Sequence, residues 1–172
     1  MLIQLGARRE SLDVLDLLLD CHAKIRRFIG IAKRLAVGDS NNLVDIADAA
    51  GAIARYFSEA FVLHGADETE LLLPRLVGRD GHVDEALAMM QQDHVAHAGH
   101  VAALTALCTK LRDEPARLPE LAPELRVVLS ELDADLETHL RMEETLIFPM
   151  LDSVGAEDKR LIMASMRDRR GV

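Results

Sequence analysis

Two histidine–glutamate pairs with the same spacing are the first feature of the sequence that could support metal chemistry. His139 and Glu143 stand four residues apart, and so do His64 and Glu68. On a helix, residues four apart project from one face, so each pair could share a metal ion or bind two adjacent ions. Their segments, H-G-A-D-E-T-E-L-L-L-P-R-L and H-L-R-M-E-E-T-L-I-F-P-M-L, also carry apolar residues and a proline at matching offsets. This repeat indicates a common site rather than a chance pattern.

Two further histidines, His22 and His94, are expected at the same height in the helices that the sequence predicts. Each of the four histidines stands ten or eleven residues from a predicted boundary at one end of the bundle, or about 15 Å at the helical rise. Four imidazoles and two carboxylates at one level of an apolar core require a compensating cation. We therefore expect two metal ions, one on His22 and His64 and one on His94 and His139, with both glutamates bridging.

Apolar stripes of helical period place these residues on four long helices. The first follows Ser11, a candidate N-cap, and ends at Gly38; the second closes at Pro74; the third spans about 83–111; the fourth carries His139 and Glu143. No stretch shows the alternation of a strand. The predicted fold class is all-α, an up-down-up-down four-helix bundle with a short C-terminal fifth helix.

The remaining segments are expected to connect or flank this bundle. The proline-rich connector D-E-P-A-R-L-P-E-L-A-P should be a loop with at most one helical turn. Residues 1–10 resemble a short leader, and residues 11–172 form the bundle domain. Leu146 of the fourth helix is expected to face inward, as are Leu161, Ile162 and Met166 of a fifth helix at roughly 156–168.

Composition excludes several classes of partner. The net charge of −9 argues against nucleic acid and against anionic membrane surfaces, because both attract clustered Lys and Arg. No apolar run reaches the length of a membrane span, and the first residues lack the order of a secretory signal. The two cysteines form no C-x-x-C pair, which suits a reducing compartment. We expect a cytoplasmic protein.

The order of these motifs resembles the hemerythrin-like, HHE cation-binding domain family. The resemblance rests on His22, then H-x-x-x-E at 64–68, His94, and H-x-x-x-E-E-x-x-x-F-P at 139–149, and it covers about residues 11–168. It implies a four-helix bundle that holds a non-heme di-iron centre, oxo- or hydroxo-bridged, with bridging carboxylates. The implied ligands are His22, His64, Glu68, His94, His139 and Glu143.

The sequence departs from the oxygen carriers of that family at two points. Those proteins typically place an Asp five residues after the last His, whereas Glu143 follows His139 at four. They also have a second His four residues after the third-helix ligand, where this chain has Ala98. Both departures resemble the bacterial HHE group rather than the dedicated oxygen carriers.

Several other polar residues stand near the predicted ligands. His97 is a possible additional ligand, since it follows His94 by three residues; the alternative is a core histidine with a hydrogen-bond partner. Tyr56 is a candidate hydrogen-bond partner close to the site. Other side chains are expected to be solvated, to support the ligands without binding metal or, for the cysteines, to fill the core: Asp67, Asp93, Glu144, His82, His100, Cys21 and Cys108.

These observations favour a di-iron protein that binds or senses oxygen, nitric oxide or another redox species. The sequence contains no phosphate loop or nucleophile elbow, so the chain is more simply read as a binding protein than as an enzyme. One alternative is a di-iron enzyme that reduces nitric oxide or peroxide, or donates iron in repair. Another is a structural protein whose site holds zinc, and ligand type also permits manganese. The oligomeric state stays open, with a homodimer as one possibility.

Overall fold

Four long helical segments pack side by side in the computed structural model, which describes residues 13–171. The first, third and fourth segments are α1 (Val14–Val37), α5 (Gly81–Asp113) and α6 (Leu118–Met142). The second is divided into α2 (Leu43–Ser58), α3 (Ala60–Asp67), a π-helical turn (Glu68–Leu72) and α4 (Leu73–Leu76). A 3₁₀ turn (Pro115–Arg117) leads into α6, which is followed by a π-helical turn (Glu143–Ile147), a 3₁₀ segment (Phe148–Ser153) and α7 (Ala156–Arg170).

Neighbouring helices close the bundle into a ring. Helix α1 packs on α2, α2 on α5, α5 on α6, and α6 back on α1. Short connections between consecutive segments give the antiparallel order of an up-down-up-down bundle. The predicted all-α bundle is thus confirmed for the described residues, which contain no strand.

Local sequence signals account for most helix boundaries. Asp13 caps α1 with a capping box that includes Asp16, and Gly38 ends the helix in the left-handed conformation at φ 75°. Asn42 caps α2, and Asp80 caps α5 by accepting from two backbone N–H groups. The leader predicted at 1–10 and the candidate cap Ser11 lie outside the described residues.

The proline-rich connector is shorter than the sequence predicts, and the loop prediction is wrong from Leu118 onward. Pro119 stands in the first turn of α6, where the missing N–H costs nothing, and Pro123 lies inside the helix. The helix tolerates Pro123 because the same turns bury Leu118, Leu121 and Leu125 against the other helices. Apolar burial therefore outweighs one lost backbone hydrogen bond.

The C-terminal helix α7 forms where a fifth helix is expected. Ile162 and Met166 are buried as predicted, but Leu161 is 48% exposed and Leu146 is 47% exposed, so both of these inward assignments are wrong. Leu146 lies within a π-helical turn, whose wider winding displaces it from the stripe of a regular α-helix.

Buried apolar side chains form two separate clusters. The larger cluster contains residues of α1, α2, α5 and α6 from Ile25 onward, and the smaller one joins Val14 and Leu18 to α4, α5 and α7. The predicted ligands lie in neither cluster. Among residues 13–171, no helix has both the length and the apolar character that crossing a bilayer requires.

Candidate metal centre

Each H-x-x-x-E segment crosses from regular helix into a π-helical turn at its glutamate. Glu68 begins one turn and Glu143 the other, and in both the glutamate carbonyl accepts from the N–H five residues on, of Leu73 or Phe148. The next residue in each case is a proline, which has no N–H to continue a regular ladder. The internal repeat thus extends to the backbone, and π turns of this kind occur frequently at functional sites.

The six side chains predicted as ligands converge in two groups that share both glutamates. The first group is His22, His64, Glu68 and Glu143; the second is Glu68, His94, His139 and Glu143. Within each group one candidate ligand atom per residue lies within 4.8 Å of all the others. All except His94, which is partly exposed, are buried.

Each carboxylate directs its two oxygens toward different groups. Oε1 of Glu68 lies 3.2 Å from Nε2 of His64, and its Oε2 lies 3.3 Å from Nε2 of His94. Oε2 of Glu143 lies 3.2 Å from Nε2 of His22, and its Oε1 lies 3.1 Å from Nε2 of His139. This is the arrangement in which a carboxylate can bridge two adjacent cations.

Buried polar atoms at this centre lack hydrogen-bond partners. Both oxygens of Glu68 and of Glu143, Nε2 of His22 and both ring nitrogens of His64 are buried with no such partner among residues 13–171. Such atoms are costly in a folded protein, and bound cations are one of the few groups that satisfy several at once. The residues present therefore fit a pair of metal ions.

Carboxylates orient two of the imidazoles from behind. Nδ1 of His22 donates to Oε1 of Glu144 at 2.8 Å, and Nδ1 of His139 donates to Oδ2 of Asp93 at 3.1 Å. Each contact leaves Nε2 to face the centre, which is how metal-binding histidines are usually held. Arg26 donates to Glu144 at 2.7 Å and also binds Glu137. Glu144 and Asp93 thus support the predicted ligands rather than standing free in solvent.

Carboxylates of the centre raise the pKa values of two of its imidazoles. Burial would lower the pKa of His22, but the carboxylates of Glu143, Glu68 and Glu144 outweigh it and raise the pKa to about 9. Burial likewise opposes protonation of His139, yet Glu143 above all raises its pKa. Burial would raise the pKa of Glu68, but the surrounding imidazoles hold it well below its usual range. Protons and metal ions therefore compete for the same nitrogens.

The pKa values of His64 and His97 are instead lowered. Burial lowers the pKa of His64. Burial and the neighbouring His139 lower the pKa of His97. His97 belongs to neither ligand group; its ring centroid is 5.2 Å from that of His139, with the two rings nearly perpendicular.

Asp67 is buried beside the centre but faces the C-terminal helix. Its Oδ2 lies 2.6 Å from Nη2 of Arg170, and its Oδ1 lies 3.5 Å from Nη1 of Arg169. Burial raises the pKa of this carboxyl, and the two guanidinium groups offset part of that rise. Of the two roles expected for Asp67, a solvated side chain or a supporting one that binds no metal, the structure excludes the solvated one, because α7 covers the residue.

The other singled-out residues lie away from the ligand groups. Tyr56 stacks on Phe28 with ring centroids 4.0 Å apart, and within residues 13–171 no hydrogen bond joins it to the six side chains. His82 is exposed, and His100 pairs with Glu131 at 3.0 Å. Cys108 is buried in the larger apolar cluster, and Cys21 is half-buried.

Sequence reasoning missed three residues that shape the centre. Phe148 packs on His22 with ring centroids 4.9 Å apart, and Arg26 and Arg170 hold the carboxylates of Glu144 and Asp67. Arg26 stands four residues after His22, so its helical spacing was a usable signal. The sequence shows Phe148 as the aromatic residue before Pro149, but it contains no signal that Phe148 packs on His22.

Comparison with known proteins agrees with this geometry. A search of curated proteins finds no match. The family model described as the hemerythrin HHE cation-binding domain matches residues 13–131, more than two thirds of the chain. That match includes His22, His64, Glu68 and His94 and ends before His139 and Glu143, which the structure brings to the same centre. The chain therefore belongs to the hemerythrin HHE cation-binding domain family.

Proposed function

We propose that this protein holds two iron ions and binds or senses a small redox ligand, such as oxygen or nitric oxide, at that centre. One ion would be held by His22 and His64, the other by His94 and His139, and Glu68 and Glu143 would bridge them. The observation that carries the proposal is the division of each carboxylate between the two groups, one oxygen facing each.

Iron is proposed because the resemblance to the hemerythrin-like family implies it, and not because of the donor set. Imidazole and carboxylate ligands suit iron, zinc and manganese alike, so ligand type does not choose among them. The family match assigns cation binding. When bound, iron would supply a redox-active Lewis acid to which a diatomic molecule or peroxide can bind.

The protein's own residues would hold this centre and control its surroundings. Glu144 and Asp93 fix the imidazoles of His22 and His139 with Nε2 inward. Phe148 and the smaller apolar cluster cover the His22 side and exclude water from it.

Metal analysis of anaerobically purified protein tests the proposal. We expect about two iron ions per chain, with absorption bands that appear on exposure to air and change with nitric oxide. His94→Ala should lose metal while His100→Ala, on the same helix but outside the centre, keeps it. Protein that takes up zinc but no iron under iron-replete conditions, and shows no such bands, would contradict the proposal. Turnover of nitric oxide or peroxide with a reductant would instead indicate an enzyme.

A further inference from the structure

A groove beside the centre borders one ligand group more than the other. The groove has a volume of about 760 Å³ and lies between the α2–α3 segment and α5, with largely apolar walls that include Phe61, Val62, Ala98 and Ala102. Its inner wall contains His64, His94 and His139 but not His22, Glu68 or Glu143. We call it the α3–α5 groove. The second ligand group therefore borders it more closely than the first.

Side-chain exposure shows the same asymmetry. The side chain of His94 is 23% exposed and that of His22 is fully buried, whereas those of His64 and His139 are alike at 5% and 4%. On the far side, Phe148 packs on His22 and Glu144 occupies its Nδ1. A ligand from solvent thus has its most open approach beside His94, whereas His22 is the most enclosed of the four imidazoles.

His97 lines the same groove with an unused hydrogen-bonding group. The residue is 4% exposed, its Nδ1 has no hydrogen-bond partner in the part of the chain that the structure describes, and its ring lies beside that of His139. A buried polar nitrogen without a partner is costly. An imidazole has at least one N–H donor in either protonation state, so it could satisfy a ligand placed in the groove.

We propose that small ligands bind the ion held by His94 and His139 from the α3–α5 groove, and that His97 donates a hydrogen bond to the bound ligand. The proposal rests on the proposed function and adds to it the ion, the route and the positioning residue. The ligand class is a small anion or diatomic molecule with a free acceptor atom. The groove is far larger than a triatomic ligand, since a water molecule takes about 30 Å³ in the liquid. Selection therefore comes from the hydrogen bond rather than from size.

Azide binding to the iron-loaded ferric protein tests the role of His97. His97→Leu and His97→Phe remove the donor, the second with a ring of similar shape, and His97→Gln keeps an N–H. We expect two iron ions per chain in all three. The azide Kd should rise about tenfold or more in the Leu and Phe variants, because a hydrogen bond to a charged group is lost. The Gln variant should recover part of the affinity, and His100→Leu should match the unsubstituted protein.

An infrared readout separates a hydrogen bond from a packing effect. The antisymmetric stretch of bound azide should shift between the unsubstituted protein and both apolar variants, and its sensitivity to D₂O should be lost in them. Unchanged affinity and stretch in fully loaded His97→Leu or His97→Phe would overturn the hydrogen bond. Loss of iron in those variants, with His100→Leu fully loaded, would also overturn it and would make His97 a metal ligand.

Blocking the groove tests the route. Ala98→Phe places an aromatic side chain in the groove one turn beyond His94, and Ala96→Phe places the same side chain on the exposed face of the same helix. We expect the azide association rate to fall at least fivefold in Ala98→Phe only, with metal content unchanged. Equal rates in both variants would overturn the route. An unsubstituted protein that binds no iron would instead contradict the proposed function, whereas a loaded one that binds no azide would overturn this inference alone.

Discussion

Glu143 and Glu144 contact opposite ring nitrogens of the same histidine, His22. Oε2 of Glu143 lies 3.2 Å from Nε2, and Oε1 of Glu144 lies 2.8 Å from Nδ1. The imidazole is thus held between an inner carboxylate and an outer one, and Arg26 fixes the outer carboxylate at 2.7 Å. This arrangement fixes which nitrogen faces the centre before any metal binds.

Removing the outer carboxylate should therefore weaken one metal position selectively. In Glu144→Ala we expect the affinity of the His22 and His64 position to fall about tenfold to a hundredfold, the usual effect of losing such a support. Competition with a chromophoric chelator measures it. Glu131→Ala is a matched control because Glu131 also pairs with a histidine, His100, outside the centre. Equal affinities in the two variants would mean that His22 is oriented without Glu144.

The proposed bridging role of Glu143 predicts a coupled loss of metal. In Glu143→Ala both positions lose an oxygen ligand, so occupancy of both should fall together. In His22→Ala only the first position loses a ligand, and occupancy should fall toward one ion per chain. Metal content per chain after dialysis distinguishes the two patterns, with Glu124→Ala, an exposed glutamate of α6, as the control. Full two-ion loading of Glu143→Ala would rule out the bridge.

Helical period explains why so much of this centre was predictable. His22, His64, His94 and His139 each continue an apolar stripe, and their distance from one end of the bundle sets a common height. Period and height together bring side chains from four helices to one level. The same reasoning predicts the face of each glutamate, because four residues return to the same side.

The remaining features depend on contacts that helical period does not encode. Pro74 predicts the end of the second helical segment, which α4 reaches at Leu76, whereas the π-helical turns that precede Pro74 and Pro149 have no signal in a regular helical period. Pro123 lies within a helix because burial of its neighbours outweighs its missing N–H. The pairing of Asp67 with Arg170 joins distant parts of the chain. The sequence indicates only that the two residues have opposite charges, and it does not indicate that they meet.

The divided core predicts that the protein folds without metal. Two apolar clusters lie on either side of the polar layer, and each joins several helices. We expect a cooperative thermal transition in the metal-free protein. Metal at a hundredfold excess over its Kd should add about 2.7 kcal/mol to the free energy of unfolding. Calorimetry of chelator-treated and reloaded protein measures both, and a metal-free sample without a cooperative transition would contradict the expectation.

The raised pKa of His22 predicts how the stability of the metal-free protein depends on pH. Its pKa is about 9 in the folded protein, against 6.5 for an unperturbed histidine, so the folded state binds the extra proton. The contribution of His22 to the free energy of unfolding is therefore fully present below about pH 6.5 and is lost as pH rises toward 9. His139, whose pKa is also raised, has the same sign. Urea unfolding from pH 6 to 9 should show this decline, and His22→Gln should reduce the slope. A flat or rising profile would contradict it.

Acid should destabilise the metal-free protein for a different reason. The pKa of Glu68 is held below its usual range by the surrounding imidazoles. Its contribution to the free energy of unfolding is therefore present above about pH 4.5 and is lost as pH falls further. His64, whose pKa is lowered, adds a loss of the same sign below about pH 6.5. Stability should therefore pass through a maximum near pH 6, and the same urea series extended to pH 4 locates it.

The contact between Asp67 and Arg170 predicts that α7 stabilises the bundle through a charge pair. Asp67 is fully buried, and removal of Arg170 leaves its carboxylate with only the longer contact to Arg169. Breaking a buried pair costs several kcal/mol, and we expect about 2 kcal/mol for Arg170→Met because Arg169 remains. For a chain of this size that lowers the Tm by about 4–8 °C. Arg167→Met, an exposed arginine of the same helix, should change it by less than about 2 °C.

The double variant Asp67→Asn with Arg170→Met separates charge from packing. Once the carboxylate is neutral, loss of the guanidinium no longer leaves a buried charge, so the double variant should be more stable than Arg170→Met alone. Metal content should stay the same in all three, because neither residue lies in a ligand group. An Arg170→Met protein as stable as Arg167→Met would mean that Arg169 or water compensates Asp67 fully. A double variant no more stable than Arg170→Met would mean that α7 acts through packing alone.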